Sequence, residues 1–216
     1  GRVFLVCDGV GGESKGEEAS SIVCETAGRQ LEKQQSVTAA TIRDAIGAAI
    51  GQMQQYTAAH PEAENMSTTL TLAAIQPDGV WVAWCGDSRV YHIRNGKVLW
   101  HTKDHSLVQQ LVDAGEITEE EALHHPRKNI ILRSLNASAA ATDIETRLID
   151  EVQPGDYLLL CTDGLLENIG EKELFNILND DQTEKNKSRL FLNACLDKTN
   201  DNFSMYLLQA GSDLKH

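Results

Sequence analysis

The chain is poor in several things, and each shortage narrows what it can do. No apolar run in its 216 residues approaches the roughly 20 needed to cross a bilayer, so no membrane span is expected. Basic residues are outnumbered, 19 Lys and Arg against 32 Asp and Glu, giving a net charge of −13. Nucleic acid and anionic membrane surfaces both call for a basic face, so neither is an expected partner. The five cysteines, Cys7, Cys24, Cys85, Cys161 and Cys195, form no Cys-x-x-Cys pair and are odd in number. That spacing suits neither zinc nor a disulfide framework, and a reducing cytoplasm is the expected compartment. Only four prolines occur, scattered, and no low-complexity stretch divides the chain, which predicts one domain over residues 1–216. There is no initiator methionine and no basic-plus-apolar leader. The chain opens on Gly1-Arg2 and runs straight into a strand-like stretch, which suggests the remainder of something longer.

What is present is an ordinary globular composition, 41% hydrophobic and 24% charged, with clear periodicities. Between Lys15 and Gln35, Ala19, Ile22, Val23, Ala27 and Leu31 recur at helical spacing. From Thr38 to Ala58, Ile42, Ala45, Ile46, Ala49, Ile50, Met53 and Tyr56 do so more cleanly. β-Branched "STTLTLAAIQ", the turn Pro77-Asp78-Gly79 and "VWVAWCGDS" then read as paired strands. Asn95-Gly96 between two β-prone runs signals a hairpin. "SLVQQLVDAG" and "TEEEAL" read as helices, the second opened by a Thr118–Glu121 capping box. His124 to Ser138 has no period and is expected to be a surface loop or flap. "IETRLI", "YLLLC" and "FSMYLLQA" are strand-like, with helices over Glu171–Leu178 and Lys187–Leu196. Strands joined by tight turns, alternating with blocks of helix, predict an α+β fold with mainly antiparallel sheets.

Three apolar runs share an unusual ending. "VFLVCDG", "VWVAWCGDS" and "YLLLCTDG" each stop at an aspartate beside a glycine, at Asp8, Asp87 and Asp163. One Asp-Gly alone is a turn signal. Three at the rim of a core, with Asp201 just ahead of the last strand, are a candidate cluster. An antiparallel strand begins where its neighbours end, so Asp201 can converge on Asp8 and Asp163. Several carboxylates within a few ångströms must hold protons or be neutralised by cations. All-oxygen donors suit hard ions such as Mg²⁺ and Mn²⁺, and Gly9, Gly11 and Gly12 would let backbone approach an ion.

In order, "DGVGG" (8–12), "GEEAS" (16–20), "STT" (67–69), "GDSR" (86–89), "KDHS" (103–106), "LLLCTDGL" (158–165) and "NDN" (200–202) resemble the type 2C metal-dependent serine/threonine protein phosphatases in their compact bacterial form. The resemblance spans nearly the whole chain. It implies a four-layer α-β-β-α sandwich of two mostly antiparallel sheets flanked by helices. It also implies two Mn²⁺ or Mg²⁺ ions bridged by a water that attacks phosphorus in line, with no phosphoenzyme. Asp8 would bridge both ions, the Gly9 carbonyl would join one, and Asp163 and Asp201 the other. Asp87 with Asp163 would support a weaker third. The implied substrates are phosphoproteins, with a serine/threonine kinase as counterpart.

Two features depart from the family pattern. Upstream strands that carry a phosphate-binding arginine and a further acidic ligand are expected to be missing from this chain, and Arg2 is not taken as that arginine. Val10 stands where eukaryotic members carry a proposed general-acid histidine, so neither general acid nor substrate-binding residues are assigned. The alternative reading is a catalytically impaired relative acting as a binding or regulatory module. A hydrolase forming an aspartyl-phosphate is disfavoured because its Asp-x-Asp motif is absent. His105 and Asn202 are expected to be structural, His124, His125, Arg127, Lys128 and Arg133 to be solvated, and Cys7 and Cys161 to pack.

Overall fold

The structure, a computed structural model, describes residues 2–10, 15–167, 169–179, 184–196 and 201–211. Two four-stranded sheets carry the fold. The first has order β1 (Val3–Val6), β3 (Leu70–Gln76), β4 (Gly79–Cys85), β8 (Glu145–Ile149). The second has order β10 (Met205–Gln209), β9 (Tyr157–Cys161), β5 (Arg89–Arg94), β6 (Lys97–His101). All of these pairings are antiparallel. Two further short strands, β2 (Ser67–Thr68) and β7 (Leu135–Asn136), pair with each other.

Alternation along the strands decides what each sheet faces. Val6, Ala73, Val82 and Trp84 of the first sheet and Val90, Leu158 and Leu160 of the second form one core between the sheets. The opposite-facing residues of the first sheet, Leu70, Leu72, Ala74, Ala83 and Cys85, pack under α1 (Gly16–Glu32) and α2 (Ala39–Ala59). Those of the second, Tyr91, Ile93, Leu159 and Cys161, pack under α6 (Glu171–Asn179) and α7 (Glu184–Cys195). The layering is therefore α-β-β-α, as the resemblance implies. Most of each predicted helical stripe is buried: Ala19, Val23, Ala27 and Leu31 in α1, and Ile42, Ala45, Ile46, Ala49, Ile50 and Met53 in α2, face the core, while Ile22 and Tyr56 are only partly buried.

Local signals held where side chains or backbone geometry enforce them. Thr38 caps α2, with its Oγ1 accepting from the Thr41 N–H at 3.3 Å. Asn95 and Gly96 both take positive φ, 48° and 68°, the mirror-image turn that matches strand twist. The short helix α3 (Leu107–Asp113) is followed by α4 (Glu119–Leu123), whose Thr118–Glu121 capping box is formed. The polar stretch 124–138, expected as loop throughout, contributes β7 instead. Its two residues are too few to show a period, and the partner, β2, lies far away in sequence. A fifth helix, α5 (Asp163–Leu166), follows β9 where the Asp-Gly opening signals a turn.

Candidate metal centre

The acidic residues meet at one end of the sandwich because of strand register. Cys161 ends β9 opposite Met205, where β10 begins, and opposite Arg89, where β5 begins. Asp163 therefore lies beside the approach to β10, which carries Asp201, and beside the turn into β5, which carries Asp87. Thr162 extends the first of these pairings past the strand ends. Its N–H donates to the Ser204 carbonyl at 3.1 Å, and its Oγ1 accepts the Ser204 N–H at 3.1 Å.

Glycine sets the separation. A Cβ at Gly164 would lie 2.3 Å from the Asn202 carbonyl oxygen and 3.4 Å from the Asp201 Cβ. Only glycine allows the 201–202 segment to come this close to the start of α5. Asn202 then donates its backbone N–H to Asp201 Oδ1 at 2.8 Å.

Asp8 arrives from the other sheet and is held by the "STT" motif. Its N–H donates to Thr69 Oγ1 at 3.0 Å, and its carbonyl accepts from the Thr69 N–H and the Thr68 hydroxyl, each at 2.8 Å. Thr69 Oγ1 also lies 2.7 Å from Ser88 Oγ, beside Asp87, so one buried hydroxyl pair links two of the acidic loops. Gly9 pairs with Thr68 in a single antiparallel bridge flanked by the Thr69-to-Asp8 and Val10-to-Ser67 hydrogen bonds. In such a pair the central residue's own carbonyl turns away from its partner, which leaves that of Gly9 turned off the ladder. Gly9 is glycine for a further reason, since a Cβ there would lie 2.3 Å from the Gly16 carbonyl. Gly11 and Gly12 lie outside the described residues, as does Asn200 of "NDN".

The electrostatics match a set of like charges brought together. Burial, then Asp163 and Asp201, push the Asp8 carboxyl up to about 6. Burial, then Asp163 and Asp104, push Asp87 up to about 7. Asp163 is raised too, by burial and then by Asp201. Each is costly to ionise beside the others, and a divalent cation relieves that cost directly. The donors are oxygens, which fits Mn²⁺ or Mg²⁺ and not zinc. Among the described residues no three or more His, Cys, Asp or Glu side chains are already gathered tightly enough to hold an ion. The acids lie within charge reach of one another, short of closed coordination.

The sequence pattern gives Asp104 no role of its own. It forms a two-pronged pair with Arg89, Nε to Oδ1 and Nη2 to Oδ2, both 2.7 Å, and adds its charge to the surroundings of Asp87. Its place in "KDHS" was visible, but its partner 15 residues away was not. His105 is structural. Its backbone N–H donates to the Gly86 carbonyl at 2.9 Å, Nδ1 accepts the Gly86 N–H at 3.1 Å, and Nε2 lies 3.0 Å from Glu145 Oε1. Cys161 is buried among core residues and Cys7 half-buried. His124, Arg127 and Lys128 are exposed, His125 is half-buried, and Arg133 reaches the Asp143 carbonyl at 3.2 Å.

The protein phosphatase 2C family profile matches residues 1–192. This chain belongs to that family. It is 33% identical over 195 residues to the serine/threonine phosphatase stp of Listeria innocua, covering 88% of this chain and 77% of that one. The crystal structure of the phosphatase Stp1 from Staphylococcus aureus superposes with a TM-score of 0.85 at 29% identity, covering 96% of this chain and 83% of the other. The catalytic domain of PstP, solved with two manganese ions, superposes at 0.80 and 28% identity, over 95% of this phosphatase 2C chain and 86% of that domain.

Proposed function

We propose that this chain hydrolyses phosphoserine and phosphothreonine in proteins, using a pair of Mn²⁺ or Mg²⁺ ions. The observation that carries this reading is the delivery of Asp8 from one sheet, and of Asp163 and Asp201 from the other, to one end of the sandwich, where burial and the neighbouring carboxylates raise the proton affinities of Asp8 and Asp163. Asp8 with the Gly9 carbonyl would hold one ion, Asp8 with Asp163 and Asp201 the second, and Asp87 with Asp163 a third. The ions, when bound, supply the charge that acidifies a water and offsets the negative phosphoryl oxygens.

The residues themselves do the positioning. The Thr68 and Thr69 hydroxyls fix the Asp8 backbone, Gly164 lets Asp201 close on Asp163, and Ser88 ties the Asp87 turn to Thr69. No side-chain nucleophile is required. Cys161 lies in the core with its thiol pushed up to about 12 by burial, the opposite of an activated nucleophile.

The family relatives act as phosphatases by name, which favours turnover over a purely binding role. Among the described residues no helix is long and apolar enough to cross a membrane. We take the setting to be the cytoplasm, opposite a serine/threonine kinase; five free cysteines are compatible with a reducing compartment. The test is p-nitrophenyl phosphate hydrolysis with and without Mn²⁺, comparing this chain with Asp163→Ala. Mn²⁺-dependent turnover that falls at least about a thousandfold in the variant is expected, about 4 kcal/mol of barrier. Equal rates in the two proteins would sink the reading.

A further inference from the structure

A cleft of about 520 Å³ opens from Asp87 and Asp163 and runs away from the acidic centre. Its size is that of clefts that hold ligands. The Arg89–Asp104 pair and Tyr91 line it, with α3, α4 and the Lys128–Asn129 segment contributing on one side and α5 and the start of α6 on the other. The metal chemistry has no use for most of these residues.

The lining has two characters. Val108, Val112, Ala122, Leu123, Leu166 and Leu174 give it apolar surface. Leu123 is 63% exposed and extends this apolar surface toward solvent. The ionisable lining residues are unevenly signed: six are Asp or Glu, and only Arg89 and Lys128 are Arg or Lys. Asp87 and Asp163 belong to the metal centre, and Asp104 is matched by Arg89. Glu119 and Glu120, both exposed, stand in the same lining as Lys128. The local field therefore favours a positively charged group, and the walls favour an apolar one.

We infer that this cleft is a substrate subsite, which selects phosphoproteins carrying a basic and an apolar side chain within a few residues of the phosphoserine or phosphothreonine. The inference rests on the phosphatase reading above. Continuity with the acidic centre decides the occupant. A phosphate drawn to ions held at Asp163 would place its own chain at the mouth of the cleft, and extended peptide advances about 3.3 Å per residue, so two or three flanking residues would lie along it. The apolar side chain would cover Leu123 and Val112, and the basic one would face Glu119 and Glu120.

The experiment compares three phosphoserine peptides of one length, with Mn²⁺, against p-nitrophenyl phosphate. One peptide carries arginine and leucine on both sides of the phosphoserine, one has alanine at those positions and one glutamate. The arginine–leucine peptide is expected to exceed the alanine peptide at least tenfold in kcat/KM, with the glutamate peptide lowest. In Leu123→Ser with Glu119→Gln and Glu120→Gln, that preference is expected to shrink to about twofold. All three positions are exposed; if the triple variant does not fold, Leu123→Ser and the double glutamine variant are read separately, each losing part of the preference. Equal hydrolysis of the three peptides, or a preference that survives the substitutions, overturns the subsite alone. Absence of Mn²⁺-dependent p-nitrophenyl phosphate hydrolysis in the unsubstituted chain overturns the phosphatase reading and the subsite with it.

Discussion

Replacing Gly164 with alanine would put a Cβ 2.3 Å from the Asn202 carbonyl oxygen and 3.1 Å from its carbon. Ordinary contact begins near 3.4 Å, so the gap must open by about 1 Å. The obstructing atoms are backbone, and no rotamer change relieves them. Residues 201–202 must retreat while Ser204, two positions on, stays pinned to Thr162 by two hydrogen bonds. Overpacking of this kind costs about 1–3 kcal/mol, or roughly 2–12 °C in Tm for a chain of this length. The retreat carries Asp201 with it, and a displacement of about 1 Å in a reacting site costs on the order of a hundredfold in rate. Thermal melts, Mn²⁺ titration and p-nitrophenyl phosphate kinetics are the assays. The expected pattern is a modest loss of Tm, a raised Mn²⁺ half-saturation point and a roughly hundredfold fall in kcat/KM. Gly51→Ala is the control: nothing lies within 4 Å of its Cβ position inside α2, and it should stabilise by about 0.4–1 kcal/mol without touching activity. Wild-type Mn²⁺ dependence in Gly164→Ala would refute the argument that this close approach places Asp201.

Asp87 should make the metal-free chain pH-sensitive. Its folded pKa of about 7 lies above the unfolded value near 3.9, so the folded state keeps a proton that the unfolded chain gives up. Stability is therefore lost progressively as pH rises from about 4 to about 7, by on the order of 4 kcal/mol in all, and levels off above that. Urea midpoints in chelator should fall between pH 5 and pH 8, and Asp87→Asn should flatten that slope; equal slopes would count against the assignment. Asp156 predicts the opposite trend. Its side chain is 1% exposed and meets His92 Nε2 at 2.7 Å and Arg94 at 2.7 and 2.8 Å. Burial pushes its carboxyl up, but Arg94, the Gln153 N–H and His92 outweigh this and hold it below the ordinary range. Its contribution is present above pH 4 and disappears as pH falls through that lowered value. Asp156→Ala should cost about 3–5 kcal/mol at pH 7, read as a urea midpoint, with Mn²⁺ half-saturation unchanged.

The sequence made the layers legible because their causes are local. A helical stripe or an Asn-Gly hairpin is enforced by residues a few positions apart, and both α2 and the β5–β6 turn appear where their patterns put them. The acids were legible as a set of strand ends, for the same reason. The rest depends on partners remote in the chain. Pro154-Gly155-Asp156 is a turn, as it reads, but its aspartate is the centre of a buried ion cluster whose other members come from β5. Gly164 reads as half of a turn dipeptide, whereas it is needed because Asn202, 38 positions later, passes across it. Local propensity registers that a glycine is present and says nothing of which backbone it admits.

The acids are divided between the sheets, and in the proposed site this would couple metal binding to the fold. Asp8 follows β1 of one sheet, while Asp163 and Asp201 flank β9 and β10 of the other. Their separation is thus set by the inter-sheet core of Val6, Ala73, Val90, Leu158 and Leu160. Packing there holds like charges together, and burial with repulsion raises the proton affinities of Asp8 and Asp87. An ion that binds only the folded chain returns about 2.7 kcal/mol at a hundredfold excess over Kd, comparable with the cost on the order of 4 kcal/mol carried by Asp87 alone. Linkage then requires that whatever loosens the inter-sheet core also weakens the ions' hold, and that the ions in turn tighten the sandwich. Hydrophobic contacts between the sheets would then be part of the proposed metal site.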